Sequence, residues 1–477
     1  MKNKLFQKTY LILTLFILLV SCKSLFNIKV RDENTATPTT YNQLKDTFNL
    51  ATINWREYFA DPSLTELIDT ALLKNQELQI ILQEIEISKN EIRVRKGEYL
   101  PFVSGGVGTG FDKYGQYTRF GAVDDQLKIK DNQSFPVPFT DFYVGANLQW
   151  EADIWKKLHN AQKAARLRYL ATIEGRNFMV SKLIAEIAET YYELMAQDNL
   201  LRIIEQNIDI QSNILKIINQ EKNAGKLTQL AVNRFEAQLL NTNSLKYEIH
   251  QRVVELENKI NFLTARYPKP LSRNSAIFLD IVIDSIPTGI PAQLLTNRPD
   301  IRQAYQNLAA MKIDVKVAQA NFYPKLEIKA GLAFQAFNPI FLLNPESILY
   351  NLFGDFMAPL INRNALKANY ASATAKQLQA VIQYEQTILN AYLDVINQLN
   401  KIDNFRKSYQ IKTKEVELLN QSITISGNLF YAARADYSEV LLTQRETLQA
   451  YLELVELKMK LLNGKVNIYR ALGGGWK

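Results

Sequence analysis

Two periodicities divide this chain. Short segments alternate apolar and polar positions strictly, and much longer ones repeat apolar positions every three or four residues. The alternation is clearest over 142–150, where Phe142, Val144, Ala146, Leu148 and Trp150 take one face and Tyr143, Gly145, Asn147 and Gln149 the other. It returns over 326–336, with Leu326, Ile328, Ala330, Leu332, Phe334 and Ala336 against Glu327, Lys329, Gly331, Ala333 and Gln335. Two weaker segments, the Gly-rich 102–111 and 348–356, complete a set of four strands. Strands of about ten residues with period two fit the wall of an outer-membrane β-barrel, and equally a soluble sheet with one buried face.

The helical repeat is a heptad. Leu448, Leu452, Val455, Met459, Leu462, Val466 and Tyr469 alternate steps of four and three, as do Ala371, Ala375, Leu378, Ile382, Glu385, Leu389, Tyr392, Ile396 and Leu399. Leu78, Ile81, Ile85 and Ile92 continue the pattern in an earlier helix, and Ile184, Ile187 and Tyr191 in another. Stripes this narrow are coiled-coil faces. A helix over 436–469 would run roughly 50 Å at 1.5 Å per residue, so an elongated assembly is expected.

The two patterns recur in the same order. A helical segment leads to Glu98-Tyr99-Leu100-Pro101 and a strand, and another to Asn321-Phe322-Tyr323-Pro324 and a strand. Each half continues through a second strand into a long helix and a helical hairpin, which marks an internal duplication. The offset is about 223 residues at the prolines and about 208 at the hairpin turns, so the first half carries the longer excursion between its strands. The expected divisions are a leader at 1–21, a linker at 22–53, a first repeat at 54–267 with strands in 101–150, a connector at 268–298, and a second repeat at 299–477 with strands in 324–357.

The N-terminus changes the balance between barrel and soluble sheet. Lys2, Lys4 and Lys8 precede an apolar run at 10–20, the length of an export signal rather than a membrane span. Leu19-Val20-Ser21-Cys22 follows, and Cys22 is the one cysteine of the 477 residues. A small residue and then Cys at the end of such a run resembles a bacterial lipobox, in which the cysteine is acylated; the alternative is an ordinary cleavage site with a coincidental Cys. Export with a lipid anchor tilts the strands toward the barrel. Beyond the leader no apolar run approaches the ~18 residues of a spanning helix, so any membrane crossing must be made by strands. Four strands cannot close a transmembrane barrel, whose smallest form has about eight, so several chains must share one.

Composition removes other classes. The net charge of +8 falls to +5 without the three leader lysines, and no basic block or zinc spacing points to nucleic acid. His159 and His250 are too few and too far apart to mark a metal site, and their polar helical settings suit surface roles. No phosphate loop, GxSxG or HExxH occurs, so neither catalytic, cofactor nor metal residues are expected.

Nearly the whole mature chain resembles the TolC/OprM (NodT-like) family of outer-membrane efflux proteins, in its lipoprotein branch. The resemblance is carried by Asn54-Trp55-Arg56-Glu57-Tyr58-Phe59 with Asp61-Pro62 and Leu64, by Asn297-Arg298-Pro299-Asp300-Ile301, and by Tyr469-Arg470-Ala471-Leu472-Gly473-Gly474-Gly475-Trp476. Gln149 to Trp155 matches the strand-to-helix junction, except that Lys156 stands where the family has glycine. Physically, Pro299 with Asp300 is a good helix start and the glycine run a helix end.

The resemblance implies a homotrimer whose chains give four strands each to a twelve-stranded barrel continuous with a periplasmic α-helical barrel, with an equatorial region near 268–299. It implies passive conduction of small toxic compounds across the outer membrane of a Gram-negative cell, a periplasmic adaptor, and an inner-membrane pump of the resistance-nodulation-division type. The hairpin turns matching the family's periplasmic tips and adaptor-docking sites are Gly225, Lys226, Leu227 and Thr228, and Ala433, Arg434 and Ala435, with Ala433 in place of the usual glycine. Glu439 matches one acid of the aperture, with Asp436 the other local acid, while a second family acid matches Leu442. A ring of Glu439 and a solvated helical glutamate are both open. Two other readings compete: the exit duct of a type I protein secretion system, and a non-conducting, lipid-anchored coiled-coil scaffold.

Overall fold

A computed structural model describes residues 31–41, 48–130, 133–282, 287–432 and 434–477. Cys22 and Ala433 lie outside the described residues. Helices α1 (Trp55–Phe59), α2 (Pro62–Lys74) and α3 (Gln76–Glu98) lead into β1 (Phe102–Asp112). The excursion that follows holds α4 (Arg119–Gln126) and a small hairpin of β2 (Lys128–Lys130) and β3 (Gln133–Ser134), before β4 (Phe139–Ala152). Long helices α5 (Lys157–Asn223) and α6 (Gln229–Leu263) then reach α7 (Leu294–Asn297) through short 3-10 turns. The second passage runs α8 (Pro299–Ala320), β5 (Lys325–Ala336), β6 (Ile348–Met357), α9 (Asn364–Tyr431) and α10 (Tyr437–Ala471).

By their contacts the residues form two compact units, one with 90–167 and 307–383, the other with 35–89, 168–306 and 384–477. In the first unit the long strands form one antiparallel sheet in the order β1-β4-β5-β6. Gly145 faces Ala333, Asn147 faces Gly331 and Gln149 faces Lys329 across β4 and β5. Phe102 lies opposite Gln149, and Phe353 opposite Lys329. Because strand side chains alternate, this register gathers the polar members of all four strands on one face and leaves Val107, Val144, Leu332 and Leu352 on the other. The polar face is the concave one. A Cβ built on Gly145 would come within 2.3 Å of the Ala333 Cβ, where flat sheets keep such pairs about 4.5–5.5 Å apart. Glycine at 145 permits that curl.

The junctions below the sheet are tied by aromatic side chains. The Trp155 indole N–H donates to the Pro324 carbonyl at 2.6 Å and the ring stacks on Tyr323 at 4.8 Å. Lys156 holds φ at 57°, the left-handed conformation natural to the glycine it replaces. The Asp153 carboxylate then accepts the Leu158 and His159 N–H groups at 3.0 and 2.8 Å and so caps α5. The His159 ring pairs with Asp153 and stacks on Tyr99, which gives it a structural role.

In the second unit the α10 seam is buried at Leu448, Val455, Leu462, Val466 and Tyr469, as its heptad requires. Helix α9, whose residues 364–383 belong to the first unit and 384–431 to the second, differs from expectation. Its buried stripe is Thr374, Gln377, Val381, Tyr384, Ile388, Ala391 and Val395, one position back from the stripe read from sequence, which leaves Leu378, Ile382 and Leu389 between 41% and 57% exposed. Both stripes have heptad spacing. A helix with two adjacent seams can pack on two sides, and the chain itself covers one of them.

Candidate functional site

Three regions carry the candidate residues. The first is the concave face of the sheet, where the end nearest the helices bears a charged group. Gln149 donates to Glu327 at 2.6 Å, Lys325 lies 3.5 Å from Glu327, and the Lys329 ammonium sits 3.8 Å from Glu327 and 3.7 Å from Asp355. At the loop end Gln335 donates to both oxygens of Asp141, at 3.0 and 2.8 Å. The convex face is the apolar one, and its side chains are open, with Val107 at 83% and Leu352 at 73% exposure.

The second region is where the sequence motifs meet. Arg298 is buried and donates to both oxygens of Asp300 at 3.0 and 2.7 Å, to Asp394 at 3.3 Å and to the Ala471 carbonyl at 2.8 Å. Burial alone would lower its pKa, but the charge-assisted bonds to Asp300 and Asp394 more than offset this and hold it above its ordinary value. The glycines close on the same spot. Gly473 and Gly475 take φ of 95° and 101°, and a Cβ at Gly474 would fall 2.5 Å from the Tyr469 ring. Trp476 donates to the carbonyls of Asn297 and Gly473, and Arg302 covers its ring at 5.1 Å. Tyr58 stacks on Tyr469 at 4.3 Å, and Asp61 accepts from Tyr191 at 3.1 Å. The three diagnostic motifs therefore form one packed cluster, and Arg298 is its hub.

The third region is the pair of helical turns. Gly225, with φ of 75°, turns α5 into α6. Lys226, Leu227 and Thr228 come together with Ala435 and Asp436 around a cavity of about 490 Å³ that Glu221, Phe430 and Tyr431 also line. Beneath it Ile218, Ala231, Val232 and Phe235 pack with Leu227, Phe430, Tyr437 and Leu441. Arg434 is exposed. Asp436 is the N-cap of α10 and accepts from the Ser438 N–H at 3.2 Å, while Glu439 stands exposed in the first turn, outside the cavity lining. The structure thus joins the two turns around the cavity, with Glu439 one turn further along α10, its N–H donating to the Asp436 carbonyl at 3.1 Å.

Sequence reasoning missed Arg298 as a hub and Lys458 altogether. The latter is buried and donates to the Leu279 and Ile281 carbonyls at 2.7 Å each, and burial pushes its pKa down. A lysine between Leu454 and Leu461 on a heptad flank was the available signal. Among the described residues no group of acids, His or Cys could hold a metal ion, and no helix is long and apolar enough to cross a membrane.

The model of the family described as "Outer membrane efflux protein" matches residues 67–265 and 290–474. The chain belongs to the outer membrane efflux protein family. It is an outer-membrane efflux channel with a periplasmic helical portion, mostly helical with one four-stranded antiparallel sheet per chain. It is similar to the solvent efflux pump outer membrane protein SrpC of Pseudomonas putida, 26% identical over 422 residues that cover 88% of this chain and 87% of the relative. The pyoverdine export outer membrane protein OpmQ of Pseudomonas putida is 28% identical over 89% of this chain and 88% of its own length. The probable outer membrane lipoprotein SilC of Salmonella typhimurium is 24% identical over 93% and 91%. Among solved structures, the CmeC outer membrane channel of Campylobacter jejuni superposes with a TM-score of 0.83 at 19% identity, covering 94% of both chains. CusC does so with a TM-score of 0.81 at 22% identity, covering 94% of this chain and 99% of that one.

Proposed function

We propose that three copies of this chain close a twelve-stranded barrel, and that the resulting conduit passes small toxic compounds delivered by a periplasmic adaptor and an inner-membrane pump of the resistance-nodulation-division type. The observation that carries this reading is the sheet. It is curled about a polar face, apolar outside, and open at both β1 and β6, with half the strands of the smallest closed transmembrane barrel. The second, exposed seam of α9 offers a helical contact for a neighbouring copy.

The turns are proposed as adaptor-docking tips: Gly225, Lys226, Leu227 and Thr228 from one hairpin, Ala433, Arg434 and Ala435 from the other. Support comes from the shared cavity and apolar base at their junction. Glu439 and Asp436 are proposed for the aperture. With the Asp436 carboxylate engaged as a helix cap, Glu439 is the acid presented to a passing ion. Cys22 is proposed as the acylated residue, on its lipobox setting and its similarity to SilC, a probable outer membrane lipoprotein. The relatives named for solvent and pyoverdine export favour small cargo over a polypeptide. Crosslinking in cells followed by purification of the channel tests the assembly. Recovery of an adaptor and a pump of that type supports it, whereas recovery of a transporter dedicated to protein secretion would replace it.

A further inference from the structure

The concave face of the sheet has an electrostatic layout that its membership in a channel family does not explain. Near the helices three carboxylates, Glu151, Glu327 and Asp355, lie on this face; Glu151, opposite Glu327, is paired with Lys157, which leaves Glu327 and Asp355 to Lys325 and Lys329. These partners are not equivalent. Lys325 pairs with Glu327, which also accepts from Gln149, whereas Lys329 lies between the two acids, 3.8 Å from one and 3.7 Å from the other. Lys329 and Asp355 are each about half exposed, so their charges act on whatever occupies the space beside them. At the loop end the corresponding acid, Asp141, is held by a neutral amide instead. Lys329 also belongs to a row that crosses all four strands, Phe102, Gln149, Lys329 and Phe353, in which it is the charged member.

We propose that Lys329 sets the ion preference of the barrel lumen, by neutralising Glu327 and Asp355 so that cargo of either charge passes this level without being held. The inference rests on the barrel closure proposed above, which turns this face inward and repeats the row in each copy. Charges that line a confined aqueous path raise the local concentration of counter-ions, so one uncompensated carboxylate per chain is enough to bias the lumen.

The test is the permeability ratio of potassium to chloride, measured on the purified channel in a planar bilayer. A gradient starting near 0.1 M keeps the screening length at about 10 Å. Lys329→Gln should raise the ratio roughly threefold or more, the effect of one weakly screened unit charge a few ångströms from an ion's path. The double variant Glu327→Gln with Asp355→Asn should move it the other way, and it carries the test if Lys329→Gln assembles poorly. Conducting variants that both keep the wild-type ratio would overturn the role of Lys329. A wild-type protein with no conductance would instead overturn the closure on which the role depends.

Discussion

The two faces of β5 make opposite demands on a single introduced charge. Leu332 lies on the convex face at 61% exposure, and Gln335 lies on the concave face beside Asp141. In a strand of residues Lys325–Ala336, Leu332 is about 5 Å along the chain from the midpoint, close to the centre of the hydrocarbon layer. Leu332→Arg should therefore cost about 2–4 kcal/mol per chain, while Ile328→Arg, on the same face but nearer the helix end, should cost less because the penalty falls toward the interface. Gln335→Arg adds the same charge on the other face, where it meets the Asp141 carboxylate, and should be nearly neutral. Lys329→Arg keeps its charge and should be tolerated as well. The assay is the yield of assembled, heat-modifiable trimer in outer-membrane fractions. The expected order is Gln335→Arg and Lys329→Arg near wild type, Ile328→Arg lower, and Leu332→Arg lowest. Equal yields for Leu332→Arg and Gln335→Arg would refute the assignment of faces.

Four further single substitutions have definite expected outcomes. Lys156→Gly should raise the denaturation midpoint, with a gain of about 0.5–1 kcal/mol once the left-handed strain is relieved and glycine's entropy is counted, and a lower midpoint would contradict the strain. Arg298→Leu leaves Asp300 and Asp394 in place without the buried cation and should destabilise by about 3–5 kcal/mol, seen as loss of protease-resistant protein; wild-type resistance would remove Arg298 as hub. Cys22→Ala should abolish incorporation of an alkyne-palmitate label, and equal labelling of both proteins would defeat the lipobox reading. Glu439→Gln should weaken block by multivalent cations added from the periplasmic side with the trimer intact, whereas a larger effect of Asp436→Asn would move the ring to the cap residue.

The parts of this fold that were legible in the sequence are those governed by a short period. The two central strands and their faces follow from alternation, because a slip of one residue would bury Gln149, Lys329 and Gln335 in lipid, whereas the outer two were legible as strands but not by face. The helical seams were legible only in part. In α9 two neighbouring stripes are both mostly apolar at heptad spacing, and periodicity cannot say which one the chain covers itself. The motif cluster was not legible as a cluster. Pro299 and the glycines read as a helix start and stop, but the bond from Arg298 to the Ala471 carbonyl joins residues 173 apart, which no local pattern encodes. Likewise the turns at 225 and 435 could be named separately, yet their shared cavity depends on how two hairpins pack. Lys156 shows the reverse case, where the departure from the family glycine was visible first and the structure kept the glycine conformation.

Single-channel recording on the purified protein in a planar bilayer is the most direct test of trimeric closure. Trimeric closure should give discrete, reproducible conductance steps from the trimer fraction, and no steps from a Leu332→Arg preparation that fails to assemble. A well-folded trimer that binds the bilayer yet passes no current under any voltage would contradict it, and would leave the curled sheet as part of a lipid-anchored scaffold.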